Sequence, residues 1–308
     1  MPKVCSFMPA VTQMIYDMGL QDHLYGVTFE CPPQALEEKK PVVRCILEGK
    51  NYSSKEIDVF FSESKKEGEK LYYVDEQALA EIAPDIIFTQ DMCDVCQIDT
   101  ECTAEAVAHL VKPPELISIS PMGFDDVFQN AVTIAKAVDK EELAYAYLIK
   151  LNDRVNHVID TVIASKAPKK RVLLLEWLEP LYNCGHWIPH QIDFAGGIDK
   201  LSNPSGNSGV ISWDDILAYN PEVIVIAPCG FSMNRTLSEM HLLLLQDGWN
   251  SVEAVKQQQV FIADFDLFTQ SSAGTLVDGI ELLAGLFHPE AVAIPSRLQR
   301  KYQKFYEY

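Results

Sequence analysis

Short apolar runs alternate with amphipathic stretches along most of the chain, a pattern that is typical of a parallel α/β protein. Before residue 124, the pattern predicts strands at Lys3–Phe7, Tyr25–Thr28, Leu71–Val74, Asp85–Thr89 and Leu116–Ile119. It also predicts helices between these strands, at Ala10–Met18, Ser54–Lys66, Glu76–Ile82 and Thr103–Leu110. We therefore expect the first part of the chain to form a sheet covered by helices.

The stretch from Phe124 to Ser165 contains no strand pattern. Asp139 is a candidate N-cap, so one helix is expected to end near Ala137 and a second to continue to about Ala164. Apolar residues recur in the second helix at steps of three and four, which indicates one buried face: Leu143, Tyr147, Leu151, Val155, Val158 and Val162. About 26 residues at 1.5 Å each span roughly 40 Å, long enough for a spine that joins two lobes.

The α/β alternation resumes after this helical stretch. We predict strands in "RVLLLEW", "EVIVIAP" and "QVFIADF", and helices at Pro189–Ala195, Trp213–Ala218 and Gly274–Leu286. A restart of this kind marks a second lobe. The predicted organisation is an N-terminal α/β lobe over 1–123, linker helices with the spine over 124–167, and a C-terminal α/β lobe over 168–308.

The composition limits which partners the protein can bind and in which cellular compartment it is expected. The 308 residues are 48% hydrophobic, which supplies apolar material for two cores. The formal net charge of −19 repels phosphate backbones and anionic lipids, and no apolar run of about 18 residues occurs, so neither nucleic acid nor membrane insertion is expected. The opening "MPKVCSFMPA" lacks the features of a secretory signal, and the eight cysteines follow no disulfide-framework spacing. We expect a cytoplasmic protein, or a periplasmic one if a signal has been removed.

The residues that follow the predicted strands are rich in cysteines, aromatic rings and carboxylates. Ligands bind beyond the carboxyl ends of strands in open parallel sheets, because the loops converge there. Two such edges facing each other across the spine would form a cleft. The candidate ligand-binding residues at these edges are Ser6, Met8, Glu30, Cys31, Asp91, Glu176, Trp177, Cys229, Phe231 and Phe265.

The segment "IIFTQDMCDVC" ends in a Cys-x-x-Cys pair, Cys93 and Cys96. Three interpretations remain open: packing in a loop or cleft, a thiol–disulfide pair, or a metal or iron–sulfur site completed by Cys31. A redox pair is favoured at the start of a helix, whereas Gln97 to Cys102 separate this pair from the next predicted helix. A zinc ribbon is excluded, since no second Cys-x-x-Cys exists.

The segment "NCGHWIPH" also has two interpretations. Trp187 can act as a hydrophobic staple after a turn at Gly185. Alternatively, Trp187 stacks on a flat ligand while His186 offers a nitrogen to a metal centre such as a corrin cobalt.

Glu176 and Glu179 flank Trp177, and paired carboxylates are typical of hydrolases that cleave glycosides. However, the chain contains no nucleophile elbow, phosphate-binding loop or His-Glu-x-x-His helix. We therefore expect a binding protein and not an enzyme, with an uncharacterised hydrolase as the second alternative.

Several segments resemble the helical-backbone (class III) periplasmic-binding-protein family over nearly the whole chain. They are "CSFMPAVTQMIYDMGLQDHLYGVT", "EIAPDIIFTQ", "RVLLLEWLEPLYNCGHWIPHQIDFAGGIDKLSN", "ISWDDILAYNPEVIVIAPCGF" and "DFDLFTQSSAGTLVDGIELLAGLFHPE". The chain is most similar to the cobalamin-binding branch, and its Phe-Glu-Cys, Asp-x-Cys-x-x-Cys, Glu-Trp-Leu and Pro-Cys-Gly-Phe elements resemble a signal-less subgroup. The resemblance implies two Rossmann-like lobes with parallel sheets, one long spine helix, and a large planar ligand between the lobes.

These observations predict a substrate-binding protein of the ABC-importer type for a tetrapyrrole-like ligand, with cobalamin or another corrinoid as that ligand. It would serve as a cytosolic carrier, or dock on an ABC permease if exported. Trp177, Trp187, Phe231 and Phe265 would cover the apolar faces of the ligand, while Asp91 and Glu30 would meet its polar edge. The alternative from another class is a thiolate metal or iron–sulfur protein that uses Cys31, Cys93 and Cys96.

Overall fold

The computed structural model describes residues 1–67, 70–90 and 100–306. These residues divide into two compact units, each with its own sheet. The first unit consists of Met1–Tyr52, Glu56–Pro121 and Asp125–Ile149. The second consists of Ser53–Lys55, Met122–Phe124 and Lys150–Tyr308. The long helix predicted as a spine contributes residues to both units, and the division falls between Ile149 and Lys150.

The first unit is built on a sheet with the strand order β4-β3-β2-β1-β5-β6. All pairs are parallel except β3 with β4, so the carboxyl ends of the other strands lie at one edge. The strands are β1 (Val4–Ser6), β2 (Leu24–Thr28), β3 (Lys40–Cys45), β4 (Tyr72–Val74), β5 (Ile86–Thr89) and β6 (Glu115–Ser118).

Helices follow most strands of the first unit, as parallel connections require. Local chemistry sets their ends: Pro9 occupies the first turn of α1, and the Asp75 carboxylate accepts a hydrogen bond from the Ala78 amide at the start of α4. The helices are α1 (Pro9–Asp17), α2 (Pro33–Glu38), α3 (Ser54–Glu67), α4 (Glu76–Ile82), α5 (Thr100–Val107) and α6 (Phe124–Lys136), with a 3-10 turn at Gln21–His23.

The long helix is α7 (Glu141–Ser165). Asp139 is not its N-cap as predicted, because its φ of 57° is left-handed and the residue lies in the turn between α6 and α7. In the second unit, Arg154 of α7 forms ion pairs with Asp278 and Glu281. These contacts fix the second half of α7 to the helix that carries both carboxylates.

The main sheet of the second unit has the order β11-β7-β13-β14-β15. Only β15 is antiparallel, and β13 and β14 are buried at every position, as expected for central strands covered on both faces. The strands are β7 (Lys170–Leu175), β11 (Gly197–Ile198), β13 (Val223–Ile226), β14 (Val260–Ala263) and β15 (Tyr302–Lys304). Two small pairings lie beside it: β8 (Trp177–Leu178) with β9 (Leu181–Tyr182), and β10 (Gly185–His186) with β12 (Asn203–Pro204).

The helices of the second unit connect these strands. Ser212 and Asp215 form a capping box at the start of α9, which fixes that helix start. The helices are α8 (Ile188–Phe194), α9 (Trp213–Tyr219), α10 (Met233–Glu239), α11 (His241–Leu244), α12 (Glu253–Lys256) and α13 (Ala273–Phe287), with 3-10 turns at Trp249–Ser251, Phe265–Leu267 and Ser296–Leu298. Within the ranges that the structure describes, no helix is both long and apolar enough to cross a bilayer.

Candidate functional site

The carboxyl edge of the second sheet brings three chemically rich loops together. Strands β7, β13 and β14 are neighbours and parallel, and Ile226 of β13 is in register with Leu175 and Ile262. The loops that follow them therefore emerge side by side. The first two are also bonded to each other, since the Cys229 amide donates to the Glu176 carbonyl at 3.1 Å.

Three side chains form a stack at this edge, which we call the Trp177 stack: Trp177, Phe231 and Arg235. The Trp177 and Phe231 rings meet edge to face at 4.9 Å, and the Arg235 guanidinium carbon lies 3.5 Å from the centre of the Phe231 ring. Phe231 is only 1% exposed, whereas Trp177 is partly exposed. The Trp177 indole Nε1 has no hydrogen-bond acceptor among the described residues. A partly exposed aromatic surface of this kind is suited to a ligand that is largely apolar.

Glu176 organises the loop beside the stack. One carboxylate oxygen accepts a hydrogen bond from the Gly185 amide at 3.0 Å, and the other accepts from the Ser208 hydroxyl at 2.7 Å. Glu179 is ion-paired with Lys55 at 3.4 Å. The two carboxylates therefore hold loops in place, and their contacts give no support to the predicted alternative of a hydrolase.

His186 has a backbone conformation that is unusual for a residue with a side chain, with a φ of 53°. Two backbone hydrogen bonds hold it: its amide donates to the Gly206 carbonyl at 2.7 Å, and its carbonyl accepts from the Ser205 amide at 2.8 Å. An interaction with the Asn207 side chain favours the protonated imidazole, but burial is the larger effect. Burial lowers the pKa of His186, so the ring is neutral at pH 7 and carries a lone pair on one nitrogen.

Trp187 has a different role from the one predicted as a ligand-stacking residue. It is 3% exposed, and its indole Nε1 donates to the Phe268 carbonyl at 2.6 Å. Its ring also contacts the His186 ring, with centroids 5.4 Å apart. Because no ring face is free, the structure corrects this prediction: Trp187 belongs to the core and supports His186 from behind.

The predicted site residues of the first unit lie mostly in its interior. Ser6 is fully buried, and its hydroxyl donates to the Met8 carbonyl at 2.8 Å, while Met8 is 5% exposed. Neither side chain offers a surface to a ligand, which corrects both predictions. Glu30 is exposed, although the protein atoms around its carboxylate and the charge of Glu48 raise its pKa to about 7, and its predicted contact with a ligand stays a prediction.

Cys31 is a buried thiol. Its Sγ donates to the Thr12 hydroxyl at 3.1 Å, and burial raises the pKa of Cys31 to about 11. The Cys31 thiol is therefore protonated at pH 7 in the metal-free protein, and its predicted role as a metal ligand stays a prediction. No group of three or more His, Cys, Asp or Glu side chains in the described ranges could hold a metal ion. Asp91, Cys93 and Cys96 lie outside the described residues, and their predicted roles stay predictions.

Two further residues predicted for the site lie at the carboxyl edge of the sheet in the second unit. Cys229 is exposed and Phe265 is partly exposed, and both follow central strands. Beside Phe265, the Asp264 carboxylate is ion-paired with Lys301 at 2.8 Å. Burial and the charge of Asp264 raise the pKa of Asp266 to about 6.

A family model described as "Periplasmic binding protein" matches residues 6–267, which is more than four-fifths of the chain. The chain belongs to the periplasmic binding protein family. A curated relative from Bacillus subtilis (strain 168), the "Uncharacterized ABC transporter substrate-binding lipoprotein YvrC", is 22% identical over 296 residues, which cover 94% of this chain and 80% of the relative.

Solved structures of similar proteins agree with this family. A periplasmic heme binding protein from Pseudomonas aeruginosa has a TM-score of 0.70 and 17% identity, with 94% of each chain covered. The periplasmic vitamin B12 binding protein BtuF of Vibrio cholerae has a TM-score of 0.63 and 16% identity, covering 94% of this chain and 97% of that chain. These likenesses concern the fold, and they confirm the predicted α/β class with parallel sheets.

Sequence reasoning missed two residues of this binding protein that the structure brings to the edge. Arg235 lies four residues after Phe231, and Asn207 lies in a segment that reads as a flexible loop. The spacing of Arg235 is a usable signal, because residues four apart meet when the chain turns helical. Asn207 gives no local signal, since its contact with His186 spans more than twenty positions.

Proposed function

We propose that this chain is the substrate-binding protein of an ABC importer and that its ligand is a corrinoid, cobalamin or a close relative. Membership of the periplasmic binding protein family supports a small-molecule ligand. The Bacillus subtilis relative is named as an ABC transporter substrate-binding lipoprotein, which supports an ABC permease as the partner. Under this proposal the protein collects its ligand outside the cytoplasmic membrane, and the comparisons lend no support to the cytoplasmic location expected from the sequence.

His186 is the observation that carries the ligand assignment. A neutral imidazole that is held in a fixed orientation is the arrangement that proteins use for metal ligation. Here the backbone hydrogen bonds of His186 and the contact with the Trp187 ring hold the residue in place. The metal in a corrin or porphyrin keeps axial positions that a protein nitrogen can occupy. An iron–hydroxamate complex, the cargo class named for a similar protein from Saccharomonospora viridis, is already surrounded by ligand oxygens and needs no such nitrogen.

A strained backbone at His186 supports the same role. Non-glycine residues in the left-handed region cost about 1 kcal/mol or more, and such positions cluster at functional sites. Here the conformation is maintained by the bonds to Gly206 and Ser205 and by the ring of Trp187. These contacts fix the imidazole before any ligand arrives, which reduces the entropy that binding must overcome.

The Trp177 stack supplies the apolar surface that a flat macrocycle requires. Covering about 100 Å² of an indole face stabilises a complex by about 2–3 kcal/mol at roughly 25 cal/mol per Å². The hydrogen bond from the Gly185 amide to Glu176 links the His186 loop to the Trp177 loop. The proposed axial nitrogen and the proposed stacking surface therefore belong to one hydrogen-bonded assembly.

The test is an absorbance titration of the ligand-free protein with aquocobalamin. We expect a spectral shift as imidazole replaces the cobalt-bound water, and we expect His186→Ala to lose the shift and to bind about tenfold more weakly. His241→Ala is the matched control, because that histidine is exposed on α11. Binding of haemin but not of aquocobalamin would contradict the corrinoid assignment, and binding of iron–hydroxamates alone would contradict any macrocycle.

A further inference from the structure

Gln191 is a fully buried polar residue in the middle of α8. Its side-chain Nε2 donates to the Leu267 carbonyl at 2.9 Å and to the Leu276 carbonyl at 2.8 Å. An amide NH2 group has two donor hydrogens, so both are used. Burying a polar side chain costs free energy unless its hydrogen bonds are formed, and an apolar residue would fill the core without that cost. The two bonds therefore indicate a role beyond packing.

The two acceptors belong to different elements of the second unit. Leu267 closes the 3-10 turn that contains Phe265, a candidate ligand-binding residue that is partly exposed. Leu276 lies in the first turn of α13. A single amide nitrogen thus joins α8 to the turn after β14 and to the helix that follows this turn.

These elements approach one another most closely beside Gly279 of α13. A Cβ atom at this position would lie 2.5 Å from Gln191 Nε2 and still closer to the Leu267 carbonyl oxygen. Real Cβ atoms do not make contacts as short as these, so only a glycine allows the turn and the glutamine to come so near to the helix. Because a protein interior is close-packed, a displacement of one element would displace the other two.

Gln191 is connected to His186 through Trp187. The Gln191 backbone amide donates to the Trp187 carbonyl at 3.2 Å, and the Trp187 ring contacts the His186 ring. Trp187 Nε1 also donates to the Phe268 carbonyl, which is next to Leu267 in the chain. The position of α8 therefore determines where the Trp187 ring lies, and this ring limits the directions that the imidazole can take.

We propose that Gln191 is a positioning residue: its two hydrogen bonds hold α8 against the Phe265 turn and the start of α13, and this keeps the His186 imidazole in the orientation that ligation of a macrocycle metal requires. The inference rests on the proposed function, because it assumes that His186 ligates such a metal. Gln191 itself is fully buried and acts only through its neighbours. Groups that orient a metal ligand without touching the metal typically change affinity by about 10- to 100-fold when they are removed.

The experiment compares two forms of one corrinoid that differ in their axial ligands. Aquocobalamin has a bound water that an imidazole can replace, whereas dicyanocobalamin, kept in excess cyanide, carries cyanide in both axial positions. We expect Gln191→Met, which keeps the length of the side chain and removes both donors, to weaken aquocobalamin binding about tenfold and to reduce the spectral shift at saturation. Dicyanocobalamin should bind within about twofold of the wild-type affinity, because His186 cannot ligate it.

A double variant separates a positioning role from a general loss of stability. In the His186→Ala background, Gln191→Met should change the affinity for aquocobalamin by less than about twofold, because the side chain through which it acts is gone. Ile216→Val is the stability control. It lies in a core cluster of the second unit with no described member in α8, so it should lower the free energy of unfolding and leave both affinities unchanged.

Gln191→Glu keeps the test decisive if Gln191→Met folds poorly. Its buried carboxyl donates one of the two bonds while it is protonated, so the loss of aquocobalamin affinity relative to wild type should be small at about pH 6 and grow toward about pH 8 as the carboxyl ionises. An unchanged affinity for aquocobalamin, equal losses for both forms, or an undiminished loss in the His186→Ala background would overturn this inference and leave the proposed function standing. If the wild-type protein gives no spectral shift with aquocobalamin, His186 does not ligate cobalt and both proposals are wrong.

Discussion

The parallel strands of the two sheets reach their carboxyl edges with different residues. In the first unit, β1, β2, β5 and β6 each end in a hydroxyl-bearing residue, and β3 ends in Cys45; the four are Ser6, Thr28, Thr89 and Ser118. In the second unit, β11, β7 and β14 end in apolar residues, and a carboxylate follows each: Asp199, Glu176 and Asp264. The same kind of sheet thus carries a hydroxyl edge in one unit and a carboxylate edge in the other.

At the hydroxyl edge, the side-chain hydroxyls form hydrogen bonds within the first unit. The Ser6 hydroxyl donates to the Met8 carbonyl, the Thr28 hydroxyl accepts from the Glu30 amide at 3.4 Å, and Thr89 pairs with Thr103 at 3.0 Å. These groups are neutral throughout the physiological pH range, so their burial costs little in desolvation. The Ser6 and Thr28 bonds each span two residues and close the turns after β1 and β2, whereas the Thr89 bond reaches Thr103, fourteen residues further along the chain.

The carboxylate edge is more demanding, because a desolvated charge needs several donors. Asp199 accepts from the amides of Leu174 and Leu201, at 3.1 and 2.9 Å, and Glu176 accepts from Gly185 and Ser208. These bonds fix the long loops that carry His186 and Asn207. The charged groups of the carboxylate edge therefore hold loops in position, and a recognition site needs rigid loops.

The largest expected effect concerns pH. Burial raises the pKa of Asp199 to about 6, against about 3.9 for an unfolded chain. Between these values the folded protein holds a proton that the unfolded chain has lost, so the free energy of unfolding falls as pH rises from about 4 to about 6, by up to about 3 kcal/mol, and then levels off. The Asp199→Asn variant should lack this pH-dependent part of the free energy of unfolding. Urea unfolding of both proteins at pH 4, 5, 6 and 7 measures it.

Because Asp266 titrates in the same range, only the difference between wild type and Asp199→Asn is informative. A constant difference across the series would show that folding does not shift the pKa of Asp199. The carboxylate edge would then be no more sensitive to pH than the hydroxyl edge, and the comparison would lose its electrostatic basis.

A second prediction separates two tryptophans of the second unit. Trp187→Phe removes the donor to the buried Phe268 carbonyl and should lower the free energy of unfolding by about 1–3 kcal/mol, with ligand affinity changed less than about threefold. Trp177→Phe loses a donor that has no acceptor among the described residues, so stability should change by less than about 0.5 kcal/mol while affinity falls. Urea unfolding measures the change in stability of each variant, and ligand titration measures the change in affinity. The reverse pattern would restore Trp187 as the stacking residue.

Much of the fold follows from periodicity alone. The sequence predicts β5 and β13 to within a few residues, since buried parallel strands are continuous apolar runs between polar helices. It misses β3, where Pro41 and Arg44 interrupt the apolar pattern, and α10, which is short and polar. In both cases the partners in space decide the structure, and neighbours along the chain do not show them.

The candidate site is likewise predictable only where neighbours along the chain determine it. Trp177 and Phe231 can be found because they come directly after predicted strands. The burial of Ser6 and Met8 could not be predicted, since a residue after a strand can point into the core or toward the edge, and alternation does not decide which. For Trp187 the sequence left both interpretations open, a buried staple and a ligand-stacking ring. The neutral state of His186 depends on burial, which is a property of the folded loop and outweighs the opposite effect of Asn207.

The smallest expected effect comes from the hydroxyl edge. Ser6→Ala removes one buried hydrogen bond to the Met8 carbonyl and should lower the free energy of unfolding by about 1 kcal/mol, equally at pH 5 and pH 7, because no titrating group is lost. Thr28→Val, which keeps the side-chain shape, is the matched variant one strand away. Urea unfolding measures the loss, and titration with aquocobalamin should give the wild-type affinity within about twofold. If either variant weakens binding tenfold, the first edge takes part in recognition, because a single neutral bond that closes a turn acts on stability alone.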